Sequence, residues 1–143
     1  MNRKIAKTAA LALALLLALT LAFSGCGRDS SGQTEIGKEV YFTLTITDGV
    51  GDLLFDEVIH AAQGKTLADA MQSALGDGFV IKDGFVTELC GVAGSAEDKT
   101  YWALYVNGEY AQAGVMDYIM LDSKAKYQIE PDDKVDFILE SYE

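Results

Sequence analysis

The sequence predicts an α+β domain in which a mixed or antiparallel sheet packs on one amphipathic helix and an aromatic hairpin lies toward the C-terminus. Three observations carry this. Residues Val40 to Thr47 and Val135 to Glu140 alternate apolar and polar side chains, the period of a half-buried strand. A single stretch, opened by Thr66, has helical spacing instead. Finally, Tyr101 to Val106 alternates and runs straight into Asn107-Gly108, a dipeptide suited to a two-residue hairpin turn because both of its residues tolerate positive φ.

Val40, Phe42, Leu44 and Ile46 form the inward side of the first strand, against Tyr41, Thr43, Thr45 and Thr47. Asp48 to Asp52, DGVGD, makes the turn, and Leu53 to Ala61 returns. The carboxylates of that turn lack the spaced oxygen ligands and the distal glutamate of a calcium loop, so no metal is expected there. Thr66 is the N-cap of the helix and Asp69 completes a capping box. Leu67, Ala70, Met71, Ala74 and Leu75 make its apolar stripe, and Gly76 ends it. Of these, Leu67, Met71, Ala74 and Leu75 are expected to pack on a sheet that includes Val40, Phe42, Leu44 and Trp102.

Two short strands, Phe79 to Lys82 and Phe85 to Cys90, flank Asp83-Gly84, and a polar loop follows from Gly91 to Thr100. In the aromatic hairpin, Trp102, Leu104 and Val106 share one face, and Tyr101, Ala103 and Tyr105 share the other; Glu109 to Gln112 is the expected return. Ile119 to Leu121 and Lys126 to Ile129 read as strands. Glu130-Pro131-Asp132-Asp133 is a turn around the chain's one proline, before the last strand. The only tryptophan and four of the seven tyrosines fall between Tyr101 and Tyr118. That density marks either a core or a recognition surface.

The same stretch carries a family likeness. Tyr101-Trp102, Leu104, Gly114-Val115, Asp117 and Tyr118 resemble the signature of the C-terminal domain of intrinsic factor and transcobalamin. The Tyr-Trp, Val-Asn-Gly and Gly-Val elements also resemble those of bacterial lipoproteins carrying a similar domain. The likeness covers roughly residues 39–143. It implies a β-grasp-like mixed sheet of the soluble-ligand-binding group, with corrinoid binding as the precedent. In that precedent a large helical domain supplies the other half of the site, and this sequence has no counterpart of it.

At the N-terminus, Arg3, Lys4 and Lys7 precede an uncharged run of leucine and alanine from Thr8 to Phe23, which ends at Ser24-Gly25-Cys26. This is the order of a signal peptide, and small residues before that cysteine resemble the lipobox of bacterial lipoproteins. Residues 1–25 are therefore expected to be a signal peptide, with Cys26 diacylated by a diacylglycerol group that carries chains such as palmitate. The alternative, an uncleaved anchor, has sixteen such residues where a span needs ~20. Acyl chains contribute ~0.8 kcal/mol per buried methylene, enough for stable anchoring. Residues 26–38 comprise the lipidated cysteine and a Ser/Gly-rich flexible tether, and 39–143 the domain, placed on the extracytoplasmic side of a bacterial cell membrane.

The chain carries 11 basic and 22 acidic groups, a net −11. Without residues 1–25, eight basic groups remain, which makes the net charge −14. Such a chain lacks the basic stripe of a nucleic-acid binder and is unsuited to lying on anionic headgroups. His60 is the only histidine, and no GxSxG, HExxH or CxxC motif accompanies it, so neither enzyme activity nor a bound cofactor or metal is expected. Cys90 has no partner once Cys26 is acylated and reads as a small buried hydrophobe at a strand end rather than an intermolecular disulfide.

The expected function is a membrane-anchored binding protein for a corrinoid-like or other soluble small ligand. The alternative is a cell-envelope module that docks another protein by a strand edge or the hairpin. If Trp102 points inward, Tyr101 and Tyr105 stand together on the other face. Tyr110 joins them across the turn, and the resemblance places Tyr118 near the ligand. Tyr101, Tyr105, Asn107, Tyr110 and Tyr118 are thus the expected contact residues.

Overall fold

The structure, a computed structural model, describes residues 37–143; the expected signal peptide, Cys26 and most of the expected tether lie outside the described residues. The first strand, β1 (Glu39–Thr47), pairs antiparallel with β2 (Leu53–Ala62) and buries Val40, Phe42, Leu44 and Ile46 on one face. Helix α1 (Leu67–Leu75) follows, then β3 (Phe79–Lys82), β4 (Phe85–Leu89), β5 (Val92–Ala93), β6 (Thr100–Val106) and β7 (Glu109–Tyr110). The chain closes with β8 (Tyr118–Met120), β9 (Tyr127–Ile129) and β10 (Lys134–Ser141).

The main sheet has the order β2-β1-β10-β6-β7. Its central strand β10 runs parallel to the neighbouring β1, with Leu44 opposite Val135 and Ile46 opposite Phe137, and every other pairing in it is antiparallel. A parallel pair between the first and last strands requires the chain between them to cross the sheet. Helix α1 does so, which gives the β-grasp-like α+β arrangement expected. Leu67, Ala70 and Met71 pack with Phe42, Leu44, Phe137, Trp102 and Leu104 in one core. The helix starts where it does because Thr66 accepts from the Asp69 N–H at 3.0 Å while the Asp69 carboxylate accepts from the Thr66 N–H at 3.0 Å.

Three expectations need correction. Ala74 is exposed rather than packed, because the last turn of α1 borders an open depression with Phe55 and Ile59 of β2, the outermost strand. Cys90 is not at a strand end. It shares a two-residue turn with Gly91, at φ 51° and 80°, between β4 and β5, and is only half-buried. A Cys-Gly pair is not a usual turn signal, so β5 went unseen inside the expected loop. The return strand of the aromatic hairpin stops at Tyr110 instead of Gln112, because the chain then swings away into a turn at Gly114–Asp117. Here the Asp117 carboxylate accepts from the Gly114 N–H at 3.2 Å.

That departing segment is tied to the helix. The Val115 carbonyl accepts from the Ala68 N–H at 3.1 Å, satisfying one of the donors that a helix leaves unpaired in its first turn. Met120 continues the tie, accepting from Gly64 and donating to Lys65, both at 2.8 Å. The loop after β7 is thereby held apart from β6.

Candidate functional site

The aromatic hairpin divides its residues between two faces of the main sheet. On the face turned away from α1, Tyr101 lies opposite Glu140 and Tyr105 opposite Asp136 and Tyr110. Glu140 gathers them, its carboxylate accepting from the Tyr101 hydroxyl at 3.1 Å and from the Tyr105 hydroxyl at 2.6 Å. Between the two tyrosines on that face sits Ala103, sheltered to 1% exposure. Tyr110 meets Tyr105 edge to face at 5.5 Å, and Tyr142 meets Tyr101 similarly at 6.1 Å. Such pairs suit the negative face and positive edge of the aromatic ring.

The cluster perturbs its own chemistry. The Tyr101 hydroxyl is pushed up to about 12, first by the neighbouring Tyr110 hydroxyl, then by burial and by Glu140. Tyr105 is also raised, chiefly because its proton is held on the Glu140 carboxylate. These tyrosines are neutral donors at any ordinary pH.

Asn107 and Tyr118 have other surroundings. At φ 53°, followed by Gly108 at 80°, Asn107 makes the predicted turn. Its side chain donates to Asp133 at 2.8 Å and accepts from the Lys134 N–H at 2.9 Å, pinning the hairpin to the loop before β10. Tyr118 is buried at the start of β8, its ring 5.4 Å from that of Tyr127 and its hydroxyl raised by burial. The two reach common ground with Tyr110 only at the rim of a shallow depression of about 430 Å³ beside the hairpin. The structure therefore brings together Tyr101, Tyr105 and Tyr110, and sets Asn107 and Tyr118 apart from them.

A second feature was not anticipated. Along the outer edge of β6, on the helix side, runs a groove of about 330 Å³ over Trp102, Leu104 and Phe137, walled by Gly84–Val86 on one side and Ala111–Val115 on the other. Tyr101 and Tyr110 also line it, which joins it to the tyrosine cluster. An adjoining depression of about 480 Å³ extends past Phe85 toward Thr100 and Tyr142. Phe85 stands 75% exposed where the two meet. Thirteen residues line the first and nine the second, four of them shared, and none of the resulting eighteen is Asp, Glu, Lys, Arg or His. In a chain that is 23% charged this is a distinct, neutral surface.

Glu140 was legible as the last outward residue of an alternating strand, once that strand is paired with β6. The groove was not, since it depends on how far β7 extends. His60, meanwhile, is exposed and stacks on Tyr41 at 5.3 Å. Among the described residues no group of three or more His, Cys, Asp or Glu side chains is placed to hold a metal.

Comparison with known proteins bears on this geometry. The pattern of a family described as a domain of unknown function (DUF4430) matches residues 64–141. The chain belongs to that family. The DUF4430 match runs from the approach to α1 through β10, and so contains the hairpin, Glu140 and the whole groove apart from Tyr142. Among solved structures, haptocorrin in complex with Cbi is similar at a TM-score of 0.59 and 17% identity, over 81% of this chain and 28% of that one. A protein from Ruminococcus gnavus ATCC 29149, provisionally named as metal binding, is similar at 0.54 and 15%, over 73% of this chain and 99% of that one. At such identities the likeness is one of fold. The chain thus spans little more than a quarter of the haptocorrin chain it matches. No curated protein matches the sequence.

Proposed function

We propose that this protein is a binding domain, held by acyl chains on Cys26 at the outer side of a bacterial cell membrane, that takes a soluble, uncharged ligand in the β6 groove. The observation that carries the reading is the groove itself, whose apolar floor, exposed aromatic lip at Phe85 and uncharged lining lie on a strongly acidic chain. Its lining has no carboxylate, imidazole or amine to move a proton, which favours binding over turnover. Tyr101 and Tyr110 border it, and Glu140 with Tyr105 keeps that border in place.

A corrinoid is the first ligand to test, given the likeness to haptocorrin in complex with Cbi and the Tyr-Trp resemblance. This domain would hold such a ligand from one side, and the opposite wall would come from outside it. The fold likeness to a protein named as metal binding does not extend to a ligand set among the described residues.

The experiment is calorimetric titration of the purified chain with a metabolite panel that includes corrinoids. A member of the panel should bind saturably, and Phe85→Ala should weaken it at least tenfold with little change in melting temperature, because Phe85 is mostly exposed. Unchanged affinity of a bound panel member in Phe85→Ala refutes the groove as its site, and absence of saturable binding by every member removes a small metabolite as the occupant. Anchoring is tested separately. Cys26→Ala should abolish acyl labelling and the mature N-terminus, and identical mass and labelling in the two forms would remove the lipoprotein reading.

A further inference from the structure

Strand pairing fixes which way each main-chain group of β6 points. The Asn107 N–H donates to the Lys134 carbonyl at 2.7 Å, so Asn107 and every second residue before it face β10. The Ala111 N–H donates to the Leu104 carbonyl at 2.8 Å, so Val106, Leu104, Trp102 and Thr100 face the other way. Val106 is opposite Glu109 there, and the Thr100 N–H reaches the Ser95 carbonyl at 2.8 Å. Trp102 lies beyond the end of β7, and among the described residues no strand pairs with it on that side. Its N–H and C=O thus open into the groove, while its indole is held in the core by donating to the Val92 carbonyl at 3.1 Å.

Resting on the reading of this groove as the binding site, we propose that its occupant is an extended, uncharged peptide segment. One residue of that segment exchanges its N–H and C=O with those of Trp102, as a short added strand beyond β7. A donor and an acceptor side by side on a strand edge match a peptide unit, and the surrounding apolar, uncharged walls match its flanking side chains. The tie between Val115 and Ala68 keeps the departing chain from occupying this position itself. At the sheet's other margin, β2 carries Asp56 and Glu57 at mid-strand, the charges by which an edge resists added strands, whereas none of the described residues that line the β6 groove is charged.

The test is amide hydrogen exchange by NMR on the full chain, alone and with a pooled library of blocked, uncharged tetrapeptides. Without peptide, the Trp102 amide should exchange faster than those of Tyr101 and Ala103, which face β10. The library should slow Trp102 at least tenfold, and the same library N-methylated at every residue should not. If the Trp102 amide is as protected as that of Ala103 in the free protein, the proposal falls. It falls equally if the library leaves Trp102 unchanged or the N-methylated pool acts as well. A small molecule that binds saturably with a loss of affinity in Phe85→Ala, while no peptide slows Trp102, would overturn the peptide and leave the groove; loss of both would overturn both.

Discussion

Glu140 is the organiser of the tyrosine face, and its removal should separate two tyrosines that otherwise look alike. Both are raised above the ordinary value of 10.0, Tyr101 to about 12, but the leading causes differ: the Tyr110 hydroxyl for Tyr101 and the Glu140 carboxylate for Tyr105. In Glu140→Gln the negative acceptor becomes a neutral amide, so Tyr105 should titrate closer to its ordinary range while Tyr101 stays well above it. In Tyr110→Phe the response should invert, with Tyr101 falling most. At pH ~11 an ordinary tyrosine is about 90% ionised, and a tyrosine at about 12 only about 10%, so the contrast is large. Tyrosinate absorbance gives the total, and ring-carbon NMR assigns the residues. Linkage fixes the sign for stability. Each folded value lies above the unfolded one, so the contribution is complete below pH ~10 and is lost as pH rises through the folded value, near 12 for Tyr101. Equal lowering of both tyrosines in Glu140→Gln, or no change in Tyr105, would refute this account.

Other substitutions probe the scaffold. Thr66→Ala removes the acceptor for the Asp69 N–H and should cost ~1 kcal/mol by denaturant unfolding; an unchanged midpoint would show that the cap contributes nothing. Asp69 is held below its ordinary 3.8, first by the Thr66 main-chain N–H and then by the Thr66 hydroxyl. Its contribution is therefore present above that ordinary value and disappears as pH falls through the lowered one, so Asp69→Asn should flatten the acid limb of the stability profile. Met71 is fully buried in the core cluster shared with residues of β1 and β10, and Met71→Asp should cost several kcal/mol, roughly 3–5, with a melting temperature that drops accordingly. Asn107→Ala loses both side-chain bonds at a positive φ and should cost about 1–3 kcal/mol; Asn107→Gly, which tolerates that φ, should cost less.

The elements whose cause is local were readable in the sequence. The capping box at Thr66, the turns at Asp83-Gly84 and Asn107-Gly108, and the alternation of β1 and β10 each act within a few residues, and each is where it was expected. Long-range consequences were not readable. Ala74 satisfies the helical period and is still exposed, because burial also requires a strand beneath it and the sheet ends at β2. Tyr118 sits beside the Gly-Val element as expected yet is buried, because its partner is Tyr127 on β9, a parallel neighbour that alternation cannot identify.

The candidate site shows the same division more sharply. Alternation placed Tyr101 and Tyr105 together, and pairing brought in Tyr110, but the groove depends on the length of β7. Had the return strand continued to Gln112 or beyond, it would have covered the β6 edge toward Trp102, and the apolar floor would have become ordinary core. The strand instead stops after two residues, because Asp117 and Ala68 draw the chain toward the helix N-terminus. Hydrogen bonds remote from the hairpin thus leave one main-chain position of β6 open beside an apolar cavity. Lengthening β7 should therefore close the site. Releasing the Gly114 turn with Asp117→Ala frees the segment to pair further along β6. The chain would then gain amide protection at Trp102 in the absence of ligand and lose affinity for whatever occupies the groove. If Asp117→Ala instead leaves Trp102 exchange and binding as they were, the turn is not what holds the edge open.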